Sequence, residues 1–167
     1  MGNISTKELT IMGLLTALVT VSTIAITIPI PATGGYLNLG DSFIFLAAIV
    51  FGWRYGLVAG GLGAALADLL VAPAYVIPTL IVKGVMGFIV GKIADNDNDN
   101  LFNYRNLTAI IIGAVWMALG YYIAQTIMLG NFKTPLVEFG PNVLQGLIGA
   151  LIFFPMALAI KKSKILK

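Results

Sequence analysis

The chain has 167 residues, of which 59% are hydrophobic and 10% charged, and its mean hydropathy is +0.96. Soluble domains carry about 25% charged residues, so this composition predicts an integral membrane protein. The absence of histidine and cysteine removes disulfides, thiol chemistry and the commonest general base and metal ligand, which argues against an enzyme and against a bound cofactor.

The spacing of apolar runs predicts an all-α fold, six transmembrane helices in one compact bundle, as a single domain over 1–167. The first span, 6–28, is long enough to cross a hydrocarbon core of about 30 Å. Ser5 or Thr6 is its expected N-cap, with Glu8 in the first turn, and Pro29 and Pro31 end it. No small-residue cleavage site follows the N-terminus, so an uncleaved first helix is expected rather than a signal peptide. Gly13 and Ala17 make a small-xxx-small pair, and Thr10, Thr16 and Thr20 add small polar positions. Such a face serves either ordinary packing within the bundle or the docking of another membrane subunit.

A loop, PATGGYLNLG over 31–40, leads into a second apolar helix at 41–52, which Asp41 or Ser42 is expected to cap. At some 12 residues, or roughly 18 Å, that helix is short for a bilayer. The third span, 56–70, is nearly all glycine, alanine and leucine and ends beside Asp68. Small residues at this density let helices approach closely where lipid removes the hydrophobic drive. The fourth span, 78–94, opens on Pro78 and carries Lys83 inside it. The run DNDNDN at 95–100 resembles the first half of an EF-hand loop. It lacks the glycine at the sixth place and the glutamate at the twelfth, where Asn106 stands, so a solvated turn is expected. Spans at 107–129 and 142–160 follow, the last kinked at Pro155, with a loop at 130–141 between them.

Six spans divide the basic residues unevenly. Lys7, Arg54, Lys92, Arg105, Lys161, Lys162, Lys164 and Lys167 fall on the side of the termini, and Lys133 alone on the other. The positive-inside rule then predicts a multi-pass cell-membrane protein with cytoplasmic N- and C-termini. On that reading the outer level of the bundle gathers Tyr36, Asn38, Asp68, Tyr75, Lys83, Tyr122, Gln125, Asn142 and Gln145. Asp41, Tyr121 and Glu138 lie at the same depth. Polar groups converging at one depth describe a small-molecule pocket open to the outside, with 31–40 as its cover. Buried charge in lipid is costly unless paired, so Asp68 and Lys83 should face the interior, where each could neutralise the other.

At these residues the chain resembles a known family. GYLNLGD, an apolar run, the break GWRYG, then GLVAGGLGAALADLL and P-x-x-x-x-K-G-x-M-G are similar to the S components of energy-coupling factor (ECF) vitamin transporters. The nearest branch is that of pyridoxine and hydroxymethylpyrimidine-type substrates, and the likeness is most specific over 36–91. It implies a six-helix, substrate-binding subunit of an importer with an outward-facing pocket. It also implies partners: a shared transmembrane coupling protein driven by two cytoplasmic ATPases, docked through small residues of the first helix. Family members carry alanine-xxx-alanine there, whereas this chain has Gly13 and Ala17. The family's closing loop would map to Tyr36 and Asn38. The sequence agrees on one point independently, since no GxxxxGK[ST] P-loop is present to hydrolyse ATP. The alternative is a small homo-oligomeric solute carrier or channel, which would transport by itself. The pocket's polarity suits a small heteroaromatic alcohol or amine, whether thiamine, a pyridoxine vitamer or another ring.

Overall fold

The structure, a computed structural model, describes residues 5–98 and 100–163. Lys164 and Lys167 of the basic set, and Asp99 of the DNDNDN run, lie outside them. Helix α1 spans Thr6–Ala25 and begins in a capping box, in which Ser5 accepts from the Glu8 N–H and the Glu8 carboxylate accepts in return from the Ser5 N–H. Its buried face is Met12, Leu15, Val19 and Thr23.

The helix stops earlier than expected, and the segment read as a loop is a hairpin. Strand β1 (Thr27–Ile30) pairs antiparallel with β2 (Gly35–Asn38), placing Thr27 opposite Asn38 and Ile30 opposite Gly35. Pro29 forbids helix but is tolerated on the free edge of a two-stranded ribbon. The turn between them closes on the Ile30 carbonyl, which accepts from Thr33 and Gly34, and Gly34 supplies the positive φ of 73°.

Helix α2 covers Gly40–Phe51, its last turn Ala47–Phe51 widening to π geometry. Gly52, at φ 104°, reverses the chain into α3, Trp53–Val71, which has a second π turn at Ala59–Gly63. Helix α4 is Pro73–Ile93, α5 is Tyr104–Leu129 and α6 is Leu136–Lys162. Five of the six are long and apolar enough to cross a membrane, and α2 is the shorter one. Its length is tolerable because it is wrapped in protein: Asp41, Ser42, Ile44, Phe45, Leu46, Ala47, Ala48 and Ile49 are all buried. Irregular backbone at membrane depth is tolerated where protein rather than lipid surrounds it and its polar groups find partners. Asn96, from the acidic turn, donates its amide to the carbonyls of Ala48 (2.9 Å) and Ile49 (2.8 Å), filling acceptors at the widened turn.

Several starts differ from the sequence reading. Helix α4 begins at Pro73 rather than Pro78, because a 3-10 turn over Pro73–Tyr75 runs directly into it, and α5 begins at Tyr104 rather than Leu107, capped by Asn103, whose side chain accepts from the Asn106 N–H. Helix α3 begins at Trp53 rather than Gly56, since its first turn needs only the Gly52 carbonyl, which accepts from Tyr55 and Gly56. Helix α6 begins at Leu136 rather than Asn142. Pro141 forfeits one hydrogen bond inside that helix without ending it, and the start is tightened by carbonyls of Lys133, Thr134 and Pro135.

Small residues set the spacing of the bundle. A Cβ on Gly87 would lie 2.1 Å from the Gly56 carbonyl oxygen, and one on Gly91 2.4 Å from Trp53 Cα, so α3 and α4 meet at backbone distance. Helix α1 approaches α3 at Gly63, whose carbonyl accepts from Thr20 Oγ1 at 2.8 Å. The core between them holds Phe45, Met86, Met117 and Phe153. Outward-facing positions are apolar, among them Leu66, Leu70, Ile81, Ile111, Ile127 and Leu151, as lipid contact requires. Six of the basic residues, Lys7, Arg54, Lys92, Arg105, Lys161 and Lys162, lie at or next to helix termini that alternation puts at one end, opposite the hairpin.

Candidate functional site

Beneath the hairpin lies a partly open cavity. Its walls follow from the periods of the elements. Alternation along β2 turns Tyr36 and Asn38 to the same inward face and Leu37 to the other. On helices, residues three, four or seven apart share a face. Thus α4 contributes Tyr75, Thr79 and Lys83, α6 contributes Glu138, Asn142 and Gln145, α5 contributes Tyr121 and Gln125, and α3 contributes Ala64 and Asp68. Thr23 of α1 and Gly35 complete the lining.

Eight of the nine residues singled out from sequence therefore border one space. Tyr122 does not: it is set about 100° around α5 from Tyr121, and its hydroxyl donates to the Phe132 carbonyl at 3.3 Å. Tyr121 holds the inward position in its place, its hydroxyl 2.9 Å from Thr79 Oγ1. Thr23, Gly35, Ala64 and Thr79 were not singled out. For Thr79 the signal was there, since it stands midway between Tyr75 and Lys83 on one face.

The charges pair differently from the sequence expectation. Asp41 is no helix cap; Leu39 occupies that place without a side-chain hydrogen bond. Asp41 is fully buried and forms an ion pair with Lys83, itself 2% exposed. Gln145 Nε2 donates to the second Asp41 oxygen at 2.7 Å, and Gln145 Oε1 accepts from the Asn38 N–H at 2.8 Å. The hairpin is thereby tied through one amide to the ion pair at the cavity floor. Lys83 Nζ also points at Met117 Sδ, 2.8 Å away.

Asp68, freed from Lys83, accepts the Tyr36 hydroxyl. Burial pushes the Tyr36 phenol well above its ordinary range and the Asp68 carboxylate adds to the shift, so the phenol stays protonated as donor. Glu138 sits under the hairpin turn, taking the Thr33 hydroxyl on one oxygen and the Gln125 amide on the other. A Cβ on Gly35 would lie 2.5 Å from that carboxylate, which explains a glycine at the start of β2. Tyr75 fastens the same turn, donating to the Thr33 carbonyl at 2.7 Å.

Gly13 and Ala17 both lie outside the buried face of α1, and no atom would come within 4 Å of a Cβ on Gly13. Packing inside the bundle is therefore not their role.

The family described as ECF-type riboflavin transporter, S component, matches residues 3–162. The chain belongs to that family. It is a transport subunit of the multi-pass membrane kind, with a vitamin-type substrate, and not an enzyme. The S component is 38% identical over 145 residues to an uncharacterised protein from the gap 3′ region of Pyrococcus woesei, covering 86% of this chain and 95% of that one. It is 29% identical over 168 residues to the thiamine precursor transporter HmpT of Lactococcus lactis subsp. cremoris (strain MG1363), covering 99% and 95%. The latter relative supports the branch that the sequence motifs suggested.

Proposed function

We propose that this S component captures a small single-ring vitamin or vitamin precursor, of the pyridoxine or hydroxymethylpyrimidine type, in the cavity beneath the β1–β2 hairpin. The observation that carries the reading is the convergence of polar side chains from β2, α3, α4, α5 and α6 on one space at one end of an apolar bundle. The Lactococcus relative is named for a thiamine precursor, which favours a single-ring substrate over a fused three-ring one.

The basic termini opposite the cavity support an outward-facing site, with both chain ends cytoplasmic, by the positive-inside rule. The hairpin is the cover, opening to admit substrate. Transport then requires a coupling protein, engaged through Gly13 and Ala17, and two cytoplasmic ATPases, since this chain has no P-loop.

Mass spectrometry of small molecules that co-purify with the detergent-solubilised protein, followed by calorimetry with each, tests the substrate class. A single-ring vitamer that binds, with Asn142→Ala weakening it roughly ten- to a hundredfold in a folded protein, supports the reading. Preferential binding of a flavin refutes the single-ring reading. Uptake by the subunit reconstituted alone refutes the division of labour.

A further inference from the structure

The lining of the cavity is unbalanced toward acceptors. Among the described residues Lys83 is the one basic side chain on it, and Asp41 just below takes up that charge. Asp68 and Glu138 border the same space without a cationic partner, held by the Tyr36 hydroxyl, the Thr33 hydroxyl and the Gln125 amide. Gln125 adds a second observation. A carboxylate can only accept, so the Gln125 side chain must turn its nitrogen to Glu138 and its oxygen elsewhere. Gln125 is 1% exposed, and its Oε1 has no hydrogen-bond partner. Buried acceptors are rarely left unmet, because their desolvation is then uncompensated. Thr23 Oγ1, on the opposite wall, is also without a partner.

We propose that the ligand is a small organic cation, a protonated ring amine or amidine, that donates N–H bonds to Gln125 Oε1 and to Glu138 or Asp68. The proposal rests on the capture reading above and adds the charge class to it. A cation would neutralise carboxylates that the protein leaves uncompensated, and its second N–H would fill the orphaned amide oxygen. A ring edged with carbonyl oxygens would set acceptor against acceptor at the same wall. The Thr79–Tyr121 hydroxyl pair and Asn142 remain for a ligand hydroxyl.

The test uses the full chain in detergent and three matched pairs: pyridoxamine against pyridoxal, the amino- against the hydroxy-form of hydroxymethylpyrimidine, and benzamidine against benzoate. Thermal shift and calorimetry read binding. The expected result is that the N–H-donating, cationic member of each binding pair leads by roughly tenfold or more, and that Glu138→Gln, which keeps shape but removes charge, reduces that preference severalfold in a folded protein. Binding led by the neutral or anionic member overturns the inference while leaving the capture reading intact. A preference unchanged in both Glu138→Gln and Asp68→Asn also overturns it. Failure of every ligand to bind overturns the inference together with the reading beneath it.

Discussion

Lys83 closes its ion pair with Asp41 on α2 and leaves Asp68 on α3 to the Tyr36 phenol. Both members of the pair are buried, so each charge depends on the other. Removing one partner of such a pair typically costs about 3–5 kcal/mol, chiefly because a bare charge stays behind. Lys83→Met should therefore destabilise the bundle by that order. Adding Asp41→Asn, which keeps an acceptor for Gln145, should restore most of the loss. Thermal unfolding in detergent reads both, and an equally unstable double variant would contradict the assignment.

The hairpin contact makes a second expectation. Tyr36→Phe removes the donor to Asp68 and one polar group from the cavity wall, while the ring still packs. Ligand affinity should fall about tenfold, and the free protein should lose about 1–3 kcal/mol, because buried Asp68 is left without that donor. Tyr122→Phe, whose hydroxyl reaches only the Phe132 carbonyl, should leave affinity unchanged. Equal losses in the two variants would place the wall of the site wrongly around α5.

A methyl group at Gly35 would collide with the Glu138 carboxylate, 2.5 Å away. Gly35→Ala should therefore swing the Glu138 carboxylate aside and loosen its hold on Thr33 and Gln125, raising protease sensitivity of the 31–34 turn and weakening ligand binding. The bundle core lies elsewhere and should melt nearly as before. Limited proteolysis with and without ligand distinguishes this from general unfolding.

Two further glycines give opposite expectations. Gly87→Ala places a carbon 2.1 Å from the Gly56 carbonyl oxygen, backbone that cannot step aside, so it should cost about 1–3 kcal/mol or more. Gly13→Ala meets open space on a helix and should gain up to about 1 kcal/mol. Melting temperatures moving in the same direction would undo the packing argument.

Much of this was legible in the residues. Apolar runs marked the six helices, because lipid demands about 20 apolar residues for each long span. Helical and strand periods put eight of the nine singled-out polar residues around one cavity. What escaped notice has physical reasons. Pairing of Asp41 with Lys83 depends on how α2 and α4 rotate against each other, which no local pattern encodes. The hairpin at 27–38 is only four residues a side, and its prolines and glycines read as loop; its second strand is pinned by Gln145 and its turn by Glu138, each more than a hundred residues away. Tyr121 and Tyr122 are adjacent and chemically alike, so only the phase of α5 separates them.

Gly13 and Ala17 lie four apart on α1 and share one side of it, a turn from each other. Exposed Leu14, Val21 and Ile24 flank them, whereas Met12, Leu15, Val19 and Thr23 face the bundle. Small residues exposed among large apolar ones leave a shallow depression into which a partner helix can settle at close range. Ala17→Trp would fill it from outside, with the cavity lining untouched except through Thr23, a turn and a half further along. The isolated variant should bind ligand as the parent does. It should fail to pull down the coupling protein and should support no ATP-driven uptake. Retained uptake would move the docking surface off α1. Lost ligand binding would mean that the ring had displaced α1 from Gly63, and Ala17→Leu, smaller and still too large for a close helix contact, would then separate coupling from folding.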